Sequence, residues 1–393
     1  MARVEAVVTS VATRRTIPGE RYRERLARAS EATAASALDG LLIGVGPELQ
    51  YLTGYEAITS ERLTMLVVLP SRPPAIVVPR LERSAAEAGL RTPVNTVTWG
   101  ETDDPHSVVV GLLSASAGNA HPRFAVSDRL WAAHLLRLQA AVPHARFESV
   151  TPILRPLRIV KDADEIELLA QAAHAADRVV AAIAGGRLVG RTEADVAREV
   201  RDRLVAEGHD SAEFAIVASG PNSASPHHAA SDRVIEAGEP VVLDIGGVLG
   251  GYWSDITRML WVTGGDPSRG PADEFVRLFE LVREANAEAT SAVRPGVACA
   301  RIDAVARGII SAGGYGPQFI HRLGHGIGLE GHEDPYLVAG NEEPLPVGAA
   351  FSIEPGIYVE GRYGARIEDI VVATDDGPVV LNEAPRDLSV VDG

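Results

Sequence analysis

Cysteine is nearly absent from this sequence of 393 residues, which contains only Cys299. An intrachain disulfide is therefore excluded, as is usual in a reducing compartment. No run of about eighteen apolar residues occurs, so no membrane-spanning helix is predicted. The opening stretch, MARVEAVVTSVATRR, has charges inside its apolar part and lacks the uninterrupted apolar core of a signal peptide. Together these absences predict a cytoplasmic protein.

Basic charge is also scarce in this sequence. The formal net charge is −16, whereas binding to nucleic acid or to an anionic membrane needs clustered basic residues. We therefore expect neither nucleic acid nor membrane as a partner. The hydrophobic content of 46% and the charged content of 23% are ordinary for a globular protein. The length suits two domains.

The two parts of the chain differ in pattern. In the first part, short β-branched runs alternate with helical patterns, which predicts an α/β domain over residues 1–155. The predicted strands are at 40–45, 64–70, 75–79 and 123–127, and the predicted helices at 81–89 and 129–142. Strands cluster in the second part, residues 156–393, which predicts an α+β domain with antiparallel hairpins.

Helix signals follow the junction between these parts. Pro152 and Pro156 predict an extended connector. Asp162 then precedes Glu165 by three positions, a capping box that predicts the start of a long helix ending at Gly185. Further helices are predicted at 192–208, 272–293 and 299–312.

The segment EPVVLDIGGVLGGYWSDITRMLWV, residues 239–262, has two strand-like runs around a glycine-rich turn. A turn centred between Leu249 and Gly250 would place Asp244 opposite Asp255, with their Cβ atoms about 5 Å apart. Carboxylates that close repel each other unless a cation lies between them. Because aspartate is uncommon within strands, the pair is a candidate cation site. The alternative is two unrelated aspartates in a loop.

A second acidic hairpin is predicted near the C-terminal end, at residues 349–374. A turn centred on Gly361 would place Glu354 opposite Glu368, across a three- or five-residue loop. Pro355 inside the first run predicts an irregular or edge strand. Both glutamates are embedded in apolar strand sequence, although a solvated charged hairpin is the alternative interpretation.

Three histidines lie within HRLGHGIGLEGHEDP, residues 321–335. His321 and His325 have the spacing of the zinc motif HExxH, but Arg322 stands where that motif has glutamate. The glycines also disfavour a helix, so the zinc-protease motif is rejected. On an irregular or extended backbone, at most one or two of these imidazoles are expected to bind a metal.

Four carboxylates with one imidazole form a mostly hard, oxygen-rich set, which suits Mn²⁺, Co²⁺, Fe²⁺ or Zn²⁺. The set contains more ligands than one tetrahedral zinc ion binds. Two ions that share bridging carboxylates fit it better, and such a pair can hold a hydroxide and polarise a carbonyl.

The order of these residues resembles the dinuclear metallopeptidases of the pita-bread fold, a family that includes methionine aminopeptidase, aminopeptidase P and prolidase. The spacings between the five residues are 11, 70, 29 and 14. The motifs VVLDIG, SDITR, HRLGHGIGLEGHE, IEPGIY and RIEDIV carry the resemblance. LRIVKDADEIELL resembles the family's entry helix, and PELQYLTGY resembles the N-terminal domain of the creatinase, prolidase and aminopeptidase P branch. The resemblance implies a pita-bread catalytic domain behind a smaller α/β domain.

The resemblance also implies a role for each matching residue. The implied metal ligands are Asp244, Asp255, His325, Glu354 and Glu368, with Asp255 and Glu368 bridging both ions. Glu354 would in addition act as general base. The implied catalytic histidines are His227 and His332, which would stabilise the tetrahedral intermediate. The implied contacts at or behind the substrate pocket are His321, Arg366 and Tyr252. His228 is interpreted as a bystander.

The implied activity is hydrolysis of the bond between an N-terminal residue and proline, through a metal-bridging hydroxide. The implied cofactors are two divalent ions, with Mn²⁺ favoured over Co²⁺, Zn²⁺ or Fe²⁺. The implied partner is a small peptide with proline second, and a homodimer is expected. Two alternatives stay open: another hydrolase or lyase on the same scaffold, and a non-catalytic binding protein that retains the fold.

Overall fold

The structure is a computed structural model, and it describes residues 16–70, 72–114 and 119–392. By their internal contacts the residues divide into two compact units. One unit is Ile17–Val160, and the other contains the chain from Lys161 onward. None of the described helices combines the length and hydropathy needed to cross a membrane.

The first unit is a sheet flanked by helices. Its helices are α1 (Gly19–Ala35), α2 (Pro47–Thr53), α3 (Arg83–Gly89), α4 (Pro105–Leu113), α5 (Ala132–Ala141) and α6 (Thr151–Ile159). Its strands are β1 (Gly40–Ile43), β2 (Met65–Val68), β3 (Ala75–Pro79), β4 (Asn95–Trp99), β5 (Arg123–Val126) and β6 (Arg146–Ser149). The strand order is β4-β3-β2-β1-β5-β6, with both parallel and antiparallel neighbours.

All four strands predicted in this unit are present, and the two that were not predicted lie at the sheet edges. The interior strands β1 and β2 are buried along their whole length, so their sequences are continuous apolar runs. The edge strands β4 and β6 are mostly exposed or half-buried and carry polar residues. An edge strand needs no continuous apolar run, and this is why the sequence pattern missed both.

The prediction of an extended connector at Pro152 and Pro156 is wrong, because this segment forms α6. Pro152 occupies the first turn of the helix, where no intrahelical amide bond is lost. Pro156 lies inside the helix, at a cost in hydrogen bonding. The helix nevertheless buries Ile153, Leu154 and Leu157, and this tertiary packing outweighs the local preference of the prolines.

The second unit mixes helices with clustered antiparallel strands, as predicted. Its helices are α7 (Ala163–Ala184), α8 (Glu193–Ala206), α9 (Asp273–Ser291) and α10 (Cys299–Ala312). The strands before α9 are β7 (Ser211–Ser219), β8 (Glu239–Leu249), β9 (Tyr252–Trp253) and β10 (Ile256–Val262). Those after α10 are β11 (Gly324–Gly326), β12 (Glu333–Leu337), β13 (Ala350–Ile353), β14 (Gly356–Val359), β15 (Tyr363–Arg366), β16 (Asp369–Thr374), β17 (Gly377–Val380) and β18 (Ser389–Val391).

The helix predictions in this unit are confirmed. Asp162 and Glu165 form the predicted capping box at the start of α7, and Gly185 is the C-cap. Thr192 caps α8 through a hydrogen bond from the Asp195 backbone N–H. The strands form three sheets, ordered β18-β10-β8-β7 with β9 beside β8, then β12-β11-β13-β16-β17, and finally the pair β14-β15.

The first acidic hairpin exists, but its predicted register is wrong. The turn falls on Gly250 and Gly251, which both have positive φ and suit a tight two-residue hairpin turn. Asp244 therefore lies opposite Thr257 rather than opposite Asp255. The shift moves Asp255 by two positions along the partner strand. Because side chains alternate with a period of two, this shift keeps both aspartates on one face.

The second acidic hairpin has the predicted register. The strand pairs β13–β16 and β14–β15 share one alignment, in which Val359 pairs with Tyr363 across a three-residue loop centred on Gly361. The predicted irregularity at Pro355 is also present, because the ladder is interrupted between β13 and β14. Glu354 and Glu368 lie within this interruption.

Candidate metal centre

Thr257 joins the two acidic hairpins. It pairs with Asp244 across the β8–β10 ladder and forms an isolated antiparallel bridge with Glu368. The Glu368 N–H donates to the Thr257 carbonyl at 3.2 Å, and the Thr257 hydroxyl donates to Glu368 Oε2 at 2.8 Å. One threonine thus brings the carboxylates of separate hairpins together.

Three ligand atoms converge at this junction. Asp255, His325 and Glu368 are buried, and each offers one ligand atom within 4.8 Å of the others. His325 Nε2 lies 3.7 Å from Asp255 Oδ2, 3.9 Å from Glu368 Oε1 and 3.4 Å from Glu354 Oε1. The group could hold a metal ion, with Glu354 beside it.

His325 is oriented to present one nitrogen to these carboxylates. Its Nδ1–H donates to the Gly326 carbonyl at 3.1 Å, so the Nε2 lone pair faces the site. The backbone N–H of His325 also donates to the Ser352 hydroxyl at 3.1 Å. Burial, and then the neighbouring His332, hold the pKa of His325 well below its usual value, so the imidazole is neutral as a metal ligand requires.

The chemistry of the donor set fits a cation. Burial raises the pKa of Asp255 and Glu354 well above their usual values, and the Glu368 carboxylate adds to both shifts. Burial and then Asp244 raise the pKa of Glu368 to about 7. Asp244 Oδ1 is buried and accepts no hydrogen bond within the part of the chain that the structure describes. Mutually repelling carboxylates with an unsatisfied oxygen are stabilised by a divalent ion.

All three guanidinium nitrogens of Arg366 donate hydrogen bonds. Its Nη2 donates to Asp244 Oδ2, its Nε donates to the Thr257 hydroxyl at 3.0 Å, and its Nη1 donates to Tyr358 Oη at 2.7 Å. The guanidinium thereby orients Asp244 and Thr257. The sequence analysis did not select Tyr358 or Thr257, although both lie within motifs that it quoted, IEPGIY and SDITR.

Both ring nitrogens of His321 are also engaged. Its Nδ1–H donates to the Arg322 carbonyl at 2.7 Å, so its Nε2 accepts from the Tyr358 hydroxyl at 3.0 Å. Burial and then Arg366 lower the pKa of His321 to about 4. The ring of Phe319 packs edge-on to it at 5.2 Å. His321 therefore offers ring carbons, not a nitrogen, to a bound molecule.

Two further histidines line the open side of the centre. The rings of His325 and His332 are 3.9 Å apart, and His332 and His227 are exposed. Burial of part of the ring, then Arg322 and His227, lower the pKa of His332. His332 thus packs against the buried His325, and His227 lies close enough to lower the pKa of His332. Tyr252 differs, because its hydroxyl donates to Glu165 Oε1 at 2.8 Å.

Glu193 anchors the segment that carries His227, and the sequence analysis missed it. Its buried carboxylate lies 2.7 Å from His228 Nε2. It also accepts hydrogen bonds from the backbone N–H and hydroxyl groups of Ser219 and Ser231 and from the Asn222 amide. Although burial opposes the shift, these hydrogen bonds lower the pKa of Glu193 to about 2. His228 is thus part of a buried network rather than a bystander.

Comparison with known proteins gives the family of this chain. Residues 167–375, more than half of the chain, match metallopeptidase family M24. The chain belongs to metallopeptidase family M24. Residues 25–160 of this M24 peptidase match the creatinase/prolidase N-terminal domain. The α+β assignment, with a pita-bread catalytic domain behind an N-terminal α/β domain, is confirmed.

Relatives cover nearly the whole M24 chain. It is 46% identical to the "Probable dipeptidase PepE" of Mycobacterium tuberculosis over 384 residues, 96% of this chain and 98% of that one. It is 35% identical to the "Xaa-Pro dipeptidase" of Lactobacillus helveticus, over 87% of this chain and 92% of that one. The crystal structure of a prolidase from Thermococcus sibiricus matches with a TM-score of 0.88 and 33% identity, covering 94% of this chain and 99% of that one.

These comparisons confirm the predicted family and the prediction of an enzyme, a metallopeptidase. Membership implies divalent metal, for which the buried cluster of Asp255, His325 and Glu368 is suited. The individual roles predicted for the site residues, the metal and the homodimer stay predictions.

Proposed function

We propose that this M24 peptidase hydrolyses the bond between an N-terminal residue and proline in small peptides. The observation that carries the proposal is the buried cluster of Asp255, His325 and Glu368, with Glu354 at 3.4 Å from His325 Nε2. The names of the relatives, a dipeptidase and an Xaa-Pro dipeptidase, supply the substrate class. The proposal includes two domains that meet near residue 155, a homodimer and a cytoplasmic location.

The proposed ligands of two divalent ions are Asp244, Asp255, His325, Glu354 and Glu368, with Mn²⁺ favoured. Such ions would supply an activated water and a polarised peptide carbonyl. The unsatisfied Oδ1 of Asp244 supports its place in the set. Arg366, which is bonded to the other oxygen of Asp244, would orient this carboxylate rather than contact substrate.

The remaining steps fall to side chains of the chain itself. Glu354 would accept the proton of the attacking water, and burial raises its pKa well above its usual value, which makes the carboxylate a stronger base. His332 and His227, both exposed at the mouth, would donate hydrogen bonds to the developing oxyanion. His321, whose nitrogens are engaged, would pack its ring carbons against the proline ring.

A turnover assay tests this proposal. The metal-loaded protein, with its metal content measured, is assayed on Ala-Pro, Ala-Pro-Ala and the matched Ala-Ala. We expect turnover of the proline peptides in preference to Ala-Ala. Glu354→Gln should lower kcat by roughly 10²- to 10⁴-fold, the typical contribution of a positioned general base. The matched control, Glu360→Gln in the exposed turn of the same hairpin, should keep full activity.

Three results would contradict the proposal. No turnover of either proline peptide by protein with bound metal would favour another hydrolase or lyase on this scaffold. Wild-type kcat in Glu354→Gln would remove the general-base role. Protein that binds no metal from medium containing Mn²⁺ or Co²⁺ would favour a non-catalytic role.

A further inference from the structure

Asn286 is a polar residue on the buried face of α9. Apart from Thr290, the other buried residues of this helix are apolar. Burying an amide is unfavourable unless it forms hydrogen bonds, and the Asn286 Nδ2 group donates two. One goes to the Ile353 carbonyl at 2.9 Å and the other to the Ile367 carbonyl at 3.3 Å. One side chain of α9 thus bonds both arms of the second acidic hairpin, of which the first contains β13 and β14 and the second β15 and β16.

The two carbonyls belong to the peptide groups that lead into the two glutamates of this hairpin. Ile353 is joined to Glu354, and Ile367 is joined to Glu368. A peptide group is planar, so a hydrogen bond to its carbonyl also restricts the position of the Cα atom that follows. Asn286 therefore restrains the backbone of both glutamates through a single NH₂ group.

The opposite edges of the same two peptide groups are bonded to other segments. The Glu354 N–H donates to the Leu323 carbonyl at 2.8 Å, and the Glu368 N–H donates to the Thr257 carbonyl at 3.2 Å. A trans peptide group directs its N–H and its C=O to opposite sides. Leu323 and Thr257 thus hold the outer sides of the two arms, and Asn286 bonds the sides that face each other.

Asn286 acts where the ladder between the two arms is interrupted. Pro355 lies opposite Ile367 in the alignment that both strand pairs share, and proline has no N–H to donate to a facing carbonyl. The Asn286 amide supplies a donor in its place. Asn286 Oδ1 is buried and accepts no hydrogen bond from the residues that the structure describes, which is unfavourable. The amide therefore contributes through its two donated bonds.

We propose that Asn286 is a positioning residue that fixes the spacing of Glu354 and Glu368 and thereby sets the affinity of the centre for divalent metal. The inference rests on the proposed assignment of both glutamates as metal ligands. Two carboxylates on facing arms repel each other when no cation lies between them. The bonds from Asn286 oppose this separation, so the ligands need little rearrangement when an ion binds.

Calorimetric titration of the chelated, metal-free protein with Mn²⁺ tests this role. Asn286→Leu nearly keeps the volume and removes both donated bonds. It should raise the Kd for Mn²⁺ by roughly 10- to 100-fold, the usual effect of removing a group that orients metal ligands. Asn286→Gln keeps the amide on a longer side chain and should fall between. The matched control is Thr290→Val, which removes a buried hydroxyl of α9 without a hydrogen-bond partner in the described part of the chain, and it should bind as wild type.

The Tm of the metal-free proteins separates positioning from a purely structural role. A residue that only stabilises the fold would lower this Tm and leave the Kd of the folded protein unchanged. A wild-type Kd in folded Asn286→Leu would therefore overturn the inference. If this variant does not fold, Asn286→Asp decides by the same comparison, because it exchanges only the donating nitrogen for an oxygen.

Metal binding is measured without a peptide, so this inference and the proposed function can fail separately. If the wild-type protein turns over no proline peptide but Asn286→Leu weakens Mn²⁺ binding, the peptidase proposal fails and the positioning role stands. If the wild-type protein cleaves Ala-Pro and Asn286→Leu has the wild-type Kd, the positioning role fails and the peptidase proposal stands. Wild-type protein that binds no Mn²⁺ would overturn both.

Discussion

Lys161 is the only lysine in the sequence, and its side chain is 1% exposed. Its ammonium lies 2.6 Å from Glu333 Oε1, which is also buried. Its backbone N–H donates to the Gly348 carbonyl at 2.9 Å. Glu333 directly follows His332, so this ion pair fixes the segment on which the proposed oxyanion donor sits. All other cationic side chains apart from histidine are arginines.

Removing the Lys161 ammonium should lower the free energy of unfolding. Lys161→Met removes one member of a buried ion pair, which typically destabilises a protein by about 3–5 kcal/mol. Urea unfolding of the two proteins gives the difference in free energy of unfolding. The control is Arg198→Met, which removes a solvent-exposed partner of Asp195 and should leave the midpoint unchanged. A midpoint for Lys161→Met equal to that of wild type would show that the pair contributes no stability.

At the scale of the element, the segment between β7 and β8 is held by one residue of α8. Glu193 stands at the first position of this helix and collects the hydrogen bonds of Ser219, Ser231, Asn222 and His228. The helix N-terminus adds a favourable field for the carboxylate. A segment rich in serine, glycine and histidine would otherwise have little apolar surface to order it.

Glu193→Gln should loosen this segment. The substitution keeps the size of the side chain but replaces one acceptor oxygen by a donor and removes the charge. Either Ser219, which donates to one oxygen, or Ser231 and His228, which share the other, therefore lose their acceptor. We expect faster amide hydrogen exchange over residues 219–231 and a lower kcat/KM, since His227 lies in this stretch. Glu199→Gln, on the same helix but outside the network, should change neither. Unaltered exchange in Glu193→Gln would show that the segment is ordered by other contacts.

At the scale of the whole molecule, the buried carboxylates set how stability depends on pH. The pKa of Glu368 is raised by burial and by Asp244 from 4.5 to about 7, and burial and neighbouring carboxylates also raise the pKa of Asp255 and of Glu354 well above their usual values. Between the unfolded and folded pKa values, the folded metal-free protein binds more protons than the unfolded chain. Its free energy of unfolding therefore decreases as the pH rises from about 4.5 to about 7.

A divalent metal should restore the free energy of unfolding that the metal-free protein loses as the pH rises. Because protons and metal compete for the same carboxylates, Mn²⁺ should raise Tm more at pH 8 than at pH 5.5. At one hundred times its Kd, a ligand specific for the folded state adds about 2.7 kcal/mol. Thermal melts of chelated and metal-loaded protein at both pH values measure the effect, and renewed chelation is the control. An equal shift at both pH values would argue against the buried carboxylates as the binding site.

Much of the fold and of the site follows from local sequence. The capping box of Asp162 and Glu165 and the hairpin centred on Gly361 depend on neighbours a few positions apart, so sequence alone predicted them. The four proposed carboxylate ligands were also selectable, because acidic residues in apolar strands are rare enough to stand out. The choice of His325 among the three histidines of its segment rested on the family resemblance. The division at residues 155 and 156 stays a prediction, and α6 runs across it.

Other features were decided by contacts between distant residues. Packing made a helix of a segment with two prolines, and the two-glycine turn at Gly250 and Gly251 shifted the first hairpin. The bridge from Thr257 to Glu368, 111 positions apart, united the hairpins. Sequence could list the charged side chains, but the tertiary structure alone determined that Arg366 donates to Asp244, Thr257 and Tyr358. The reason is physical: the identity of a group is local, whereas its desolvation and its partners are set by whichever segments the fold packs around it.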